Sequence, residues 1–138
     1  MFREGDIVEI PLSDGRTAIG SILYISQHFK HAVGFIVFGI KGQLRDDYME
    51  EKRTLHVLGP LYTHIDNLKI DGWKTIQHQS ISESKRMLTK REVGGGVYVG
   101  DDYLGSVEEL GEHDLRPMLF MGMPVIHKEI DKAFRNVT

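Results

Sequence analysis

The chain contains no cysteine, so no disulfide can staple it and no thiolate can serve as nucleophile or metal ligand. Long apolar runs are missing as well. The longest, near residues 33–40 and 57–61, carry glycine and fall far short of the roughly 18 residues a membrane-crossing helix needs. Behind Met1-Phe2-Arg3-Glu4-Gly5-Asp6 there is no apolar core of a signal peptide. No Gly-x-Ser-x-Gly elbow is present. The triplet Gly94-Gly95-Gly96 lacks the Lys-Ser/Thr that would make it a phosphate loop, so a bulge or hairpin is the better reading. What is left is the ordinary globular mixture, with 41% hydrophobic and 27% charged residues in 138. These numbers predict one domain spanning 1–138, cytoplasmic and held together by packing alone.

Charge is modest in sum, −3, but unevenly placed. Between Glu92 and Leu115 stand Glu92, Asp101, Asp102, Glu108, Glu109, Glu112 and Asp114, with no Lys or Arg among them. Just before, Lys69, Lys74, Lys85, Arg86, Lys90 and Arg91 face only Asp71 and Glu83. An acidic surface repels phosphate and makes nucleic acid a poor partner, whereas it suits a basic protein. The plainer alternative is a set of solvated loop and edge charges.

Along the chain, residues 6–12 alternate like a strand that ends at Pro11. Asp14-Gly15 between two β-prone runs signals a hairpin. Residues 17–26 form the second strand, with Ala18, Gly20, Ile22, Tyr24 and Ser26 expected on one face and Ile19, Ser21, Leu23 and Ile25 on the other. Gly20 inside it suggests a bulge. Residues 33–40 are apolar on both faces, as in a central strand. The charged stretch 42–53 reads as a loop or one short helix over 44–51. Residues 54–58 return to β character, closed by Gly59-Pro60. Residues 61–70 suggest a strand and a turn at Asp66-Asn67; Asp71-Gly72 is a further turn, leading into a strand at 73–76. Residues 80–89 are polar. An irregular strand over 93–100 enters a turn at Asp101-Asp102. Ser106 is a good N-cap for a helical turn ended by Gly111. The best helix begins at Pro124, with Val125, Ile126, Ile130, Ala133, Phe134 and Val137 expected on its buried face. The fold class is α+β, mostly β: a strongly bent antiparallel sheet or a small SH3-like barrel with a C-terminal helix.

The string from Gly5-Asp6 through Ile10-Pro11-Leu12, Asp14-Gly15 and Ile19-Gly20 resembles the opening of the immunity protein 26 family, and Asp71-Gly72-Trp73-Lys74-Thr75-Ile76 is similar to its tryptophan landmark. The family version has Ile-Gly after that tryptophan; here Gln77 follows Ile76. The resemblance covers about residues 3–90. It implies a protein of polymorphic or contact-dependent toxin systems that binds and neutralises a cognate toxin, one with a basic cleft such as a nuclease. The family label also mentions a phosphotriesterase, so a metal-dependent hydrolase is the alternative. On the binding reading, Asp101, Asp102, Glu108, Glu109 and Asp114 offer the charge, and Tyr98 and Tyr103 the anchors. Trp73 competes as an anchor, but a lone tryptophan beside a turn is more often core.

The hydrolase would need a cage of ligands around a metal-activated water. Of the histidines, only His28 and His31 are close in sequence, and they lack a helical frame. His56 and His64 could meet across Gly59-Pro60. The pairs Asp46-Asp47 and Asp101-Asp102 point to opposite sides if they lie on strands. No catalytic residue, metal ligand or cofactor is therefore assigned.

Overall fold

The computed structural model describes residues 1–29, 31–49 and 57–135. Eight strands and four short helices follow in the order β1 (Asp6–Pro11), β2 (Thr17–Ile25), β3 (Ala32–Ile40), β4 (Leu58–His64), α1 (Ile65–Ile70), β5 (Lys74–His78), α2 (Glu83–Met87), β6 (Arg91–Val93), β7 (Gly96–Val99), β8 (Asp102–Ser106), α3 (Val107–Leu110) and α4 (Met123–Phe134). Two antiparallel sheets result: five strands in the order β4-β3-β2-β1-β5, and three in the order β6-β7-β8. The large sheet is bent but open, since β4 and β5 end it without pairing to each other. The mostly-β class with a C-terminal helix stands; the closed barrel does not.

The meander β1–β3 follows the alternation and the Asp14-Gly15 hairpin, which Leu12 N–H closes onto the Arg16 carbonyl at 2.8 Å. Every residue of β3 is buried, as its uniformly apolar sequence requires. Gly20 sits at a register shift between β2 and β3, where a Cβ would stand 2.6 Å from the Ile36 carbonyl oxygen. Only glycine allows that approach. A second shift, between Ile22 and Tyr24, reverses the side-chain phase. Ala18 and Ile22 thus face one core, while Ile19, Leu23 and also Tyr24 face the other. Strict alternation had placed Tyr24 with Ile22; the bulge moves it across the sheet.

Both faces of the large sheet are covered. On one side Val8, Ile10, Ile22, Phe35 and Val37 pack with Leu68 of α1, Trp73, and Ile126 and Ile130 of α4. Trp73 is core, edge-on to Phe35 at 4.9 Å between ring centroids. Ile126 and Ile130, four apart, form the helix's narrow buried stripe, with Phe134 packed at its end. Val125 and Ala133 lie off that stripe and are exposed, contrary to expectation. Val137 lies outside the described residues. The other side holds Ile7, Ile19, Leu23, Tyr24, Ile36, Phe38 and Tyr62, packed with Leu44, Ile81, Leu88 and Met118.

Two expectations along the rest of the chain need correction, and two stretches left open gain a conformation. Gly59-Pro60 does not close a strand; its cis peptide lies within β4. Residues 65–70 are helical, because His64 caps them through an acceptor nitrogen 3.2 Å from the Asp66 N–H, and Leu68 reaches the core. The polar stretch 80–89 holds α2, capped by Ser82 onto Lys85 N–H. Residues 44–49 form turns rather than helix. The remainder of the 44–51 expectation and residues 54–56 lie outside the described part.

Candidate partner-binding face

The small sheet begins as two tight hairpins. Gly94 and Gly95, with φ of 57° and 85°, join β6 to β7, the two positive values a type I′ turn demands. Gly100, at φ 59°, opens the next turn with Asp101 second. The triplet Gly94-Gly95-Gly96 is therefore a hairpin. Gly96 has a further role: a Cβ there would meet Tyr103 at 2.9 Å and Tyr98 at 3.1 Å, so its bare backbone lets both rings lie over it.

Those rings are 5.4 Å apart, and Tyr98 continues the row by edge contact with Phe29 at 5.0 Å and stacking on His28 at 6.5 Å. Tyr103, at the outer end, is 58% exposed. The inner end is Arg91, paired across the ladder with Tyr98. Its guanidinium lies 4.9 Å from the Tyr24 ring, 5.3 Å from Tyr62 and 5.6 Å from Phe29. It donates to the carbonyls of Thr89 at 3.0 Å and Gly100 at 2.7 Å. Arg91 is only 2% exposed. Ring faces and carbonyls, rather than a carboxylate, hold this cation.

Asp101 supplies the second tie between the sheets. It accepts from Tyr24 Oη, from Ser26 Oγ at 2.7 Å and from Gln27 N–H at 2.7 Å. Burial alone would raise its carboxyl; these donors hold it below the ordinary carboxylate value. Burial, together with donation to Asp101, pushes Tyr24 up to about 12, and burial pushes Tyr62 to about 12.

The residues singled out in the sequence divide accordingly. Tyr98 and Tyr103 meet. Asp101 is occupied by the large sheet. Asp102 at the start of β8 stays exposed and pairs with Arg86 of α2. Glu108 and Glu109 occupy the exposed first turn of α3, which Ser106 caps through Glu109 N–H at 3.0 Å and Gly111 ends. Asp114 lies apart: it lines a cleft of about 530 Å³ beside β6 with Lys90, Arg91 and Arg116, at the opposite edge of the small sheet from β8.

Sequence reading missed Phe29, Arg91 and the segment 116–121. That segment bridges both sheets, with Glu92 opposite Pro117 and Tyr62 opposite Phe120. Its apolar run Met118-Leu119-Phe120-Met121 was the available signal. His28 belongs to the aromatic row, and His31 packs against His64 at 5.5 Å. His56 lies outside the described residues. Among the described residues no group of three or more His, Asp or Glu is placed to hold a metal. No described helix is long and apolar enough to cross a membrane.

The aromatic row ends in an exposed tyrosine flanked by exposed carboxylates. The class is a mostly-β protein with a C-terminal helix. The family model of immunity protein 26 matches residues 3–100, and the chain belongs to that family. No curated protein and no solved structure matches it.

Proposed function

We propose that this chain neutralises a cognate bacterial toxin by stoichiometric binding, and that the toxin domain is basic, as a nuclease with a phosphate-binding cleft would be. Family membership supports an immunity role. The observation that carries the choice of surface is the exposed Tyr103, seated on Gly96 against Tyr98, beside the uncompensated carboxylates Glu108 and Glu109. Tyrosine gives apolar contact at low entropic cost, and the acidic rim steers a basic partner. Asp102 adds to that rim, while Asp101 acts indirectly by holding the β7–β8 turn in place.

The test uses the toxin domain encoded beside the gene. A triple charge reversal, Asp102→Lys with Glu108→Lys and Glu109→Lys, is expected to weaken binding at least tenfold, mostly through a slower on-rate, and to fail to protect cells expressing the toxin. Unchanged affinity for the folded variant would place the interface elsewhere.

A further inference from the structure

Beyond the acidic face, the segment 116–121 carries an unusual pair. Leu119 and Phe120 are adjacent, yet they are 58% and 57% exposed. In an extended segment one of two neighbours ordinarily turns inward; here neither does. Flexibility is no explanation, because the backbone is clamped on both flanks. Met118 N–H donates to the Glu92 carbonyl at 2.9 Å, Met121 N–H to the Tyr62 carbonyl at 2.9 Å, and Thr63 Oγ to the Met121 carbonyl at 2.8 Å. Phe120 is thus displayed on a clamped backbone, the arrangement that loses least entropy when a partner covers it, while Leu119 turns to the other cleft, beside Lys90, Arg91 and Arg116.

In front of Phe120 lies a cleft of about 630 Å³ walled by His28, Phe29, His64, Asn67 and Met121. Phe29 and His28 also belong to the aromatic row, so the row that runs through Tyr98 to Tyr103 starts in the cleft wall. An acidic group borders the cleft: Asp66 is exposed 3.6 Å from His64, one of the cleft walls. Phe120 falls after residue 100, where the family match ends. The matched residues build the large sheet, α2 and the first two strands of the small sheet; this apolar display belongs to the part of the chain beyond them.

We infer that Phe120 and the cleft before it are the apolar anchor of the toxin interface, receiving an apolar side chain that the basic toxin domain presents among its lysines and arginines. This rests on the toxin-binding reading and locates its energetic centre, with the acidic groups as rim. A basic partner is favoured because the exposed Asp66 carboxylate borders the cleft and no lysine or arginine stands among its walls.

Titration calorimetry of the full chain with an inactive form of the adjacently encoded toxin domain tests it, alongside sedimentation of the chain alone. Phe120→Asp is expected to weaken binding tenfold or more with an unchanged melting temperature, while Phe120→Leu stays within about threefold of the native chain and Leu119→Asp, over the other cleft, within about twofold. Affinity within twofold for Phe120→Asp, or an equal loss for Leu119→Asp, would overturn the anchor and leave the immunity reading standing. A native chain that forms no complex would remove both. A native dimer that Phe120→Asp dissociates, with toxin affinity unaltered, would assign Phe120 to a second copy and overturn the inference.

Discussion

The two sheets are held by different physics. The large one is an aliphatic interior, with Ile10, Ile22, Val33, Phe35 and Val37 closed off by helices on one side, and Ile7, Ile19 and Ile36 covered on the other. Its cohesion is non-directional and tolerant of detail. The small sheet buries only Val97 and Val99 among its apolar residues. It is fastened by directional contacts instead: Arg91 among three rings, and Asp101 under Tyr24 and Ser26. Packing of the first kind sets stability, whereas contacts of the second kind set where the face carrying Tyr98 and Tyr103 points. The small sheet is expected to open before the large one.

The sharpest break in that comparison comes from emptying the large core. Phe35→Ala removes a fully buried ring against Trp73 and is expected to cost about 3–5 kcal/mol, read as a lower denaturation midpoint in guanidinium. Both sheets should lose hydrogen-exchange protection together. A loss confined to one of them would contradict a shared aliphatic foundation.

Arg91 tests the other half. Arg91→Ala strips two carbonyls of their donor and leaves a void, at a cost of about 2–4 kcal/mol. Amides of β6–β8 should exchange faster while those of β2 and β3 stay slow. Arg91→Met refills the volume without a buried charge and is expected to recover a large part of the loss. A uniform loss across both sheets would show that Arg91 is ordinary core.

That division also explains what sequence alone reveals. The meander, the Gly20 bulge, the core position of Trp73 and the caps at Ser106 and Gly111 are local signals: period, turn chemistry and side-chain reach. The phase reversal at Tyr24 is not local, because it depends on how β3 registers with β2. Helix α1 is invisible to pattern, since six residues carry a single buried leucine and owe their form to the His64 cap and tertiary packing. In the candidate site, Tyr98 and Tyr103 are legible as aromatics near charge. The roles of Arg91 and Asp101 are not, because arginine and aspartate ordinarily stay solvated, and only three-dimensional placement buries the one and half-buries the other.

The finest separation of the two sheets is electrostatic. Asp101 has its carboxyl held below the ordinary value by Tyr24, Ser26 and Gln27, against the opposing effect of burial. A depressed folded value means that the charged form is the one the fold favours. This contribution is therefore complete above the ordinary value of 3.8 and is lost as pH falls through the lower folded value. Tyr24 titrates oppositely: raised to about 12, it stabilises fully below its ordinary value of 10.0 and ceases to do so as pH climbs toward 12. The attachment of the small sheet is thus bounded by acid and by alkali at one hydrogen bond. Asp101→Asn keeps the shape but removes the charge and leaves one donor unmatched, since its amide nitrogen cannot accept where both carboxylate oxygens now do, costing about 1–2 kcal/mol at neutral pH. The variant should flatten the acid limb of β7–β8 amide protection. Asp6, also held below its ordinary value where β1 meets β5, provides the control: Asp6→Asn should alter the acid response of β1 and β5 and leave β7–β8 unchanged. If Asp101→Asn and Asp6→Asn shift the same amides, the two sheets titrate as one body and the distinction between them fails.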